Sequence, residues 1–441
     1  MGEVNESHAV ESNVLRSFLH ENPKVEFVRF QWVDYSGVMA VRVATRSFVL
    51  SLDQTKQRIS TPSPILNAVS LDGSLLIEEI HFGIDQAHPD WSSVRILPYH
   101  PNTAAVMCFI EEGEQPRGTE FQRCPRSRLR DIVSSAKLKH DIEMLVGMEI
   151  EFFICEEVNG VLQPVATTKN VYSSASLRNK CLPVLEEIVQ ALQQAGIKVR
   201  QFHSEGYAGL FEISTEPLPP LQSADALYFS HETIRAICLS HGLRATMHPK
   251  PFEKSSIVGS HYHLSISQTE KEASFLAGLL GSWRALAAFY QPNYDSHART
   301  RKGERVTWGP ENKTASIRQI RAGHWELRGP DATANAYLAL MAIITAGVLG
   351  MDSGKALEMR GATQIMFTAP LEDDVAAEMG IVDRMPFSLK EALECLQQDT
   401  LLTDAIGPEL ITRYVTVKTK EEEVMGRLIL TERKEIAMAI F

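Results

Sequence analysis

Acids and histidines recur at a spacing of two within short, otherwise apolar segments of this chain. Gly147–Phe153 reads Gly-Met-Glu-Ile-Glu-Phe-Phe, Gly259–His263 reads Gly-Ser-His-Tyr-His, and His324–Arg328 reads His-Trp-Glu-Leu-Arg. Side chains alternate faces along a strand, so residues two apart share a face. As strands, these segments each present a polar pair or triplet on one side and apolar residues on the other. A fourth stretch, from Glu205 to Glu212 through Gly206-Tyr207-Ala208-Gly209, adds two more carboxylates. Carboxylates converging with an imidazole on one surface repel one another unless cations sit among them. The pattern calls for a sheet with one polar, working face. It points to an oxygen-rich site for more than one metal ion.

The chain has 441 residues, enough for one large domain and a smaller one. Its formal net charge is −11 and its pI about 5.7, with no block of Lys or Arg. That balance argues against a nucleic-acid footprint and fits a cytosolic enzyme. The six cysteines form no C-x-x-C pair and read as buried, reduced thiols. Met1–Glu6 is polar and acidic, without the basic start and apolar run of a signal peptide. The longest uncharged stretch, Ala336–Met351, is short for a bilayer span and reads as a buried helix. The expectation is a soluble, cytoplasmic protein with no membrane association.

Along the chain, residues 1–13 read as disordered or loosely ordered. Val25–Val33 and Met39–Val43 alternate as strands, and Asp34-Tyr35-Ser36-Gly37 between them is a hairpin signal. A helix-poor stretch follows to about residue 104, then a strand over 104–110. The Gly-, Glu- and Pro-rich loop from 111 to 124 places a domain boundary near 112, giving an N-terminal domain over 14–112 and a catalytic domain over 113–441. Helices are expected over about 127–140, 174–195, 223–241, 272–290, 333–350, 388–405 and 409–438. Long connections and alternating strands argue for an α+β protein with an antiparallel or mixed sheet, not a doubly wound one. No Gly-rich phosphate loop is present.

The residues carry alternative readings one by one. Glu149 and Glu151 suit a solvated strand face or a buried pair that needs partners; their apolar neighbours favour burial. His261 and His263 suit packed polar residues or ligands with separate jobs. Glu326 and Arg328 suit an ion pair. Arg299, Lys313, Arg318 and Arg321 make residues 299–328 basic, as a solvated face or as clamps for phosphate and carboxylate oxygens. Together they favour a hard divalent cation, Mg²⁺ or Mn²⁺, because glutamates and histidine occur without cysteine ligands. Metals beside a basic segment suggest a nucleotide handled by side chains and ions on an open sheet.

These segments resemble the glutamine synthetase family. The resemblance runs from about Val25 to the C-terminus. It rests on Gly147–Phe153, on His203-Ser204-Glu205 with Gly209 and Glu212, and on Met247–Phe252 followed by Gly259–Ser265. Trp308–Lys313 and Glu326–Leu338 complete it. It implies an N-terminal β-grasp domain and a catalytic domain whose curved antiparallel sheet forms a funnel. It also implies a ring-shaped homo-oligomer with active sites between subunits. By resemblance, Glu151, Glu205 and Glu212 hold one metal, and Glu149, His261 and Glu326 hold the second. His263 and Ser265 contact ATP, with Lys313 and His324 on the same side. Arg299 and Arg328 face the acid substrate, and Arg318 contacts phosphate. The implied reaction uses ATP to phosphorylate a carboxylate, and an amine or ammonia then displaces phosphate to form an amide.

Several positions depart from the family pattern. Ser256-Ile257 replaces an Asn-Gly that contacts the amino-acid end of glutamate. Asp295-Ser296-His297-Ala298-Arg299 stands for Asn-Ser-Tyr-x-Arg, which alters the acid-side wall. Lys313 and His324 replace arginines, and Leu210 replaces a glutamine. The flap before Trp308 is short, so its usual glutamate is only loosely matched by Glu304. Asp72 resembles the ammonium-site aspartate. The expected function is an ATP-dependent amide ligase forming a γ-glutamyl-phosphate-like intermediate. The alternatives are an ordinary glutamine synthetase, a weakly active scaffold or regulatory relative, and a metal-dependent phosphotransferase.

Overall fold

The computed structural model describes residues 13–67, 69–75, 83–112, 123–178, 180–253, 257–300, 304–363, 366, 368 and 371–441. Strand β1 (Phe27–Val33) and β2 (Met39–Thr45) pair as the expected hairpin. Its turn is closed by Asp34, whose Oδ1 accepts from the Val38 amide at 2.8 Å. With β3 (Ile59–Pro62), β4 (Ile84–Pro89), β5 (Arg95–Ile96) and β6 (Thr103–Glu112) they form a six-stranded mixed sheet, order β2-β1-β6-β4-β3. The central β1 and β6 run parallel, so a crossover must connect them. Part of it is the helix Arg46–Thr55, in a stretch the sequence reading left without helix. Thr45 caps it, accepting from the Phe48 amide at 3.4 Å, and it buries only Val49 and Leu52. So narrow an apolar stripe is easily read as a continuing strand. This layout matches the expected β-grasp.

The second sheet has nine strands. They are β7 (Met144–Val158), β8 (Val161–Pro164), β9 (Val199–Ser204), β10 (Leu210–Thr215), β11 (Arg244–Thr246), β12 (Ser260–Ile266), β13 (Trp308–Pro310), β14 (Ile317–Arg321) and β15 (His324–Leu327). The order is β13-β14-β15-β12-β7-β10-β9, and β8 and β11 pair with the far half of β7. Every pairing is antiparallel except β13 with β14. The three segments with the spacing-two pattern are β7, β12 and β15, side by side.

Alternation then does what the sequence implied. Ile150, Phe152, Phe211, Ile213, Tyr262, Leu264, Trp325 and Leu327 point away from the acids and are fully buried. Helices Pro220–Ser240, Glu272–Tyr290 and Ala336–Ser353 belong to the same core. Trp325 stacks on Phe275 of the second, with ring centroids 5.6 Å apart. Burial of one such side chain contributes about 1.5–3 kcal/mol. Glu272–Tyr290 and Ala336–Ser353 cross so closely that a Cβ on Gly278 would lie 2.3 Å from the Ala346 carbonyl oxygen and 2.9 Å from Gly350 Cα. Ala336–Ser353 is long and apolar enough to cross a membrane, but 78% of it is buried inside the protein.

Three expected helices are broken. The 174–195 stretch is a turn of helix, Ser174–Leu177, followed by Cys181–Gln194. The 388–405 stretch divides at Asp399, whose Oδ1 accepts from the Leu402 amide at 3.1 Å and starts a new helix. The 409–438 stretch divides into Pro408–Arg427 and Leu430–Ile440. The loop at 113–122, beside the expected domain boundary, lies outside the described residues. All six cysteines are free, five of them buried.

Candidate active site

Register assembles the polar face. Glu149 on β7 lies opposite His261 on β12, and Glu151 lies opposite Glu212 on β10. Glu212 faces His203 on β9, while His263 faces Glu326 on β15 and Glu326 faces Arg318 on β14. Glu205 follows the end of β9. Residues from Glu149 to Glu326, 177 positions apart in sequence, thus meet on one surface, because each strand carries the same alternation.

His261 sits among the acids. Its Nδ1 lies 3.1 Å from Glu149 Oε2, 3.5 Å from Glu326 Oε1 and 3.9 Å from Glu151 Oε1. A Cβ on Gly259 would lie 2.5 Å from the His261 ring, so only glycine fits there. The Gly259 amide donates to Glu151 Oε2 at 2.7 Å. His263 Nε2 lies 2.9 Å from Glu149 Oε1, and its Nδ1 lies 3.3 Å from His324 Nε2. Arg318 donates to Glu326 Oε2 at 2.9 Å and also pairs with Glu311, while Arg328 pairs with the other Glu326 oxygen. At the far end, His203 bridges Glu212 at 3.2 Å and Glu205 at 3.4 Å.

The charges are out of balance in a telling way. Burial pushes Glu149 up, but hydrogen bonds with His261 and His263 outweigh it and hold the carboxyl below its usual range. Glu326 is raised by burial, then carried below its usual range by His261 and Arg328. Glu205 and Glu212 go the other way: burial raises both, and Glu151 adds to it. Burial lowers His261 and His203, yet the neighbouring carboxylates leave both above the usual imidazole range. His324 is pushed down to about 4 by burial and by His263 and Arg321. Histidines supply positive charge at both ends, but at the Glu205–Glu212 end His203 does not offset burial and the neighbouring carboxylates. A divalent cation fills such a deficit. Donor atoms of Glu149, His263 and Glu326 lie within 4.8 Å of one another, as do those of His203, Glu205 and Glu212. The residues fit hard cations.

Beside this face lies a cavity of about 300 Å³, walled by Glu151, Glu205, Ile257, Arg299, Glu304 and Arg328, among others. Lys313 also reaches it. Arg299 donates to the carbonyls of Gly329 at 2.6 Å and Pro330 at 2.8 Å, bracing the turn that carries Arg328. Ser265 lies further along β12, its hydroxyl donating to the Leu145 carbonyl at 3.4 Å. Ser256 lies outside the described residues. Asp72 is not on the cavity wall; its carboxylate accepts from the Ser74 amide at 3.0 Å within its own turn.

Asp295 and His297 do not form the acid-side wall expected of them. Asp295 is buried against Arg433, 3.1 Å away, and His297 Nδ1 lies 3.2 Å from the Pro386 carbonyl oxygen. The helix Leu430–Ile440 supplies Arg433 and draws Asp295 backwards, which the local spacing does not reveal. Two residues went without a role in the sequence reading. His203 has its place only through the β9–β10 register. Tyr172 stands edge-on to His203, ring centroids 4.7 Å apart, on a left-handed backbone with φ of 58°. Its place beside His203 depends on that left-handed turn, which sequence alone does not announce.

An open antiparallel sheet with paired carboxylate–histidine clusters beside an arginine-braced cavity can hold hard cations and an anionic group side by side. The chain matches the family model for the glutamine synthetase catalytic domain over residues 122–433, and it belongs to the glutamine synthetase family. The FluG protein of Emericella nidulans is 30% identical over 432 residues, covering 95% of this chain and 49% of that protein. The chain thus spans about half the length of that relative. The gamma-glutamylpolyamine synthetase GlnA3 of Streptomyces coelicolor is 29% identical, covering 81% of this chain and 82% of that one. The glutamine synthetase of Methanocaldococcus jannaschii is 28% identical, covering 90% and 91%. Among solved structures, GmaS without ligand superposes with a TM-score of 0.80 at 25% identity, over 95% of this chain and 98% of that one.

Proposed function

We propose that this ligase joins a carboxylate to an amine larger than ammonia, using ATP to activate the acid as an acyl phosphate. The observation that carries the reading is the composition of the cavity wall. Glu151, Glu205 and Glu304 face it as acids and Arg299 and Arg328 as bases, while Ile257 brings a branched, 39% exposed side chain to its rim. A branched Cβ there crowds any close backbone approach to a small amino-acid end. The similarity to a gamma-glutamylpolyamine synthetase supports the amine half.

In this reading Glu151, Glu205 and Glu212 hold one cation, and Glu149, His261 and Glu326 hold another, with His203 and His263 close beside. Bound divalent ions would neutralise phosphate charge and orient the transferring group. Arg318 and Arg328 grip Glu326 from both sides, which leaves their forks at the edge of the cation site. There they stabilise negative charge as it develops on a phosphoryl group. Arg299 fixes the position of Arg328. Glu304 stands on the amine side, where a carboxylate can hold an ammonium and accept its proton. His263, Ser265, Lys313 and His324 line the approach for the nucleotide. The active site is completed by a neighbouring subunit of a homo-oligomer, to which Asp72 is supplied.

The test is product analysis with ATP and Mg²⁺. Glutamate is offered with ammonium, methylamine or a polyamine, and the amides are identified by mass spectrometry. Preferential formation of an N-substituted amide is expected. Efficient glutamine formation, at a kcat/KM for glutamate on the order of 10⁴ M⁻¹s⁻¹ or better, would overturn the reading.

A further inference from the structure

A buried ion pair ties the helix Leu430–Ile440 to one wall of the cavity. Arg433, on that helix, spans the Asp295 carboxylate: Nη2 donates to Oδ1 at 3.1 Å, and Nε reaches both oxygens at 3.3 Å. Its Nη1 donates to the Leu428 carbonyl at 2.9 Å, and the guanidinium lies over the Tyr294 ring, 4.5 Å from the centroid. The Arg433 and Asp295 side chains are 13% and 10% exposed. His248 Nε2 lies 3.8 Å from the same carboxylate, beyond hydrogen-bond reach, and burial pushes that imidazole down to about 4. At neutral pH it brings no charge, so the cation hydrogen-bonded to Asp295 is Arg433.

Asp295 opens a single 3₁₀ turn, Ser296–Arg299. Its carbonyl accepts from the Ala298 amide at 3.2 Å, so a shift of the acid is passed to the turn. The far end of the turn is Arg299, on the cavity wall, whose guanidinium donates to the carbonyls of Arg328, Gly329 and Pro330. The Pro330 carbonyl also accepts from the Ser260 amide at 3.0 Å, at the start of the strand that carries His261. One short turn therefore separates the ion pair from a network that reaches Arg328 and β12. The helix itself has another fastening: the Met247 amide donates to the Phe441 carbonyl at 2.7 Å, and Ala437 and Phe441 pack in a small core with Leu71 and Met425.

We propose that Arg433 is a positioning residue for acid recognition. By pairing with Asp295 it sets the turn that presents Arg299, and through Arg299 the place of Arg328 on the cavity wall. A buried carboxylate that loses its cation turns toward water or takes up a proton. Either change loosens the turn at its first residue, while Phe441 keeps the helix seated. The proposal rests on the ligase reading for the identity of the acid, and not on which amine reacts.

Hydrogen-exchange mass spectrometry and steady-state ADP release test this together on the full chain. In Arg433→Leu, amide exchange is expected to rise about tenfold over residues 296–300 and 328–331, with the helices Glu272–Tyr290 and Ala336–Ser353 unchanged. The KM for glutamate is measured with whichever of ammonium, methylamine or a polyamine gives the fastest release. It is expected to rise about tenfold in Arg433→Leu while the KM for ATP stays the same. A smaller folded fraction would lower kcat and leave both KM values alone. Asp295→Asn has no buried charge to release, so adding Arg433→Leu to it should change the glutamate KM less than about threefold. Exchange confined to residues 430–440, an unchanged glutamate KM, or an equal effect of Arg433→Leu in both backgrounds would overturn the proposal. If wild type joins glutamate to none of the amines, the ligase reading fails, and exchange over 296–300 and 328–331 alone decides whether Arg433 positions the turn.

Discussion

Arg328 pairs with a Glu326 oxygen through its side chain, while its own carbonyl accepts from Arg299 at 3.2 Å. A planar fork suits that position, and an ammonium does not reproduce it. Arg328→Lys is expected to lose activity on the order of tenfold or more; unchanged kcat and KM would reduce Arg328 to a structural ion pair. Glu151→Ala is expected to abolish ligation with the protein still folded, since it removes one acid from a surplus, frees the Gly259 amide and leaves His261 its closer partner Glu149. Near-normal turnover at saturating Mg²⁺ would remove Glu151 from the cation site. Spacing made these residues legible: Glu149, Glu151, His261 and Glu326 declare a shared face within single strands. His203 and Tyr172 were not legible in that way. One depends on pairing between strands, the other on a left-handed turn.

The hairpin β1–β2 carries a buried acid. Burial pushes the Asp34 carboxyl up from 3.8 to about 8, against the Val38 amide that lowers it. The folded chain therefore keeps a proton that the unfolded chain releases, and this contribution to stability falls as pH rises from about 4 to about 8. Asp34→Asn keeps the acceptor and removes the proton. Melting temperatures at pH 5 and pH 8 should lie closer together in the variant, with a residual slope from Glu421, which burial also raises. An unchanged difference would exclude Asp34 as its source. Behind the catalytic sheet, Gly278→Ala would press a methyl into backbone, an overpacking cost of about 1–3 kcal/mol seen as a lower melting temperature. Element types were readable because periods of two and near four differ plainly. The breaks were not: Asp399 ends one helix and caps the next, and nothing in a helical period announces that.

Across the whole molecule, the acids of the sheet are held apart by histidines and arginines that only partly match their charge. Saturating Mg²⁺ or Mn²⁺ should therefore raise the melting temperature, since a ligand at 100-fold its Kd adds about 2.7 kcal/mol. Chelator should reverse the shift, and Glu151→Ala should blunt it. The subunit contribution proposed for Asp72 is tested by mixing inactive Asp72→Asn and Glu326→Ala chains. In a symmetric ring, random mixing should restore up to about a quarter of the sites. No recovery in verified mixed oligomers would place Asp72 outside the reaction. The two-sheet architecture followed from alternating strands and long connections. The destination of Asp295 did not, because its partner Arg433 lies 138 residues away.

The alternation that gathers the acids also fixes where the chain can change. Deleting one residue inside β7 or β12 would turn every later side chain of that strand over. Glutamates would enter the space of Ile150 and Phe152, and tyrosine would enter the space of the histidines. Chemistry and core are thus encoded in the same reading frame, and a lineage cannot edit one without the other. Ile257 and Glu304, on the cavity wall, stand outside the strands. On the proposed reading, substrate choice can change there while the reaction stays the same.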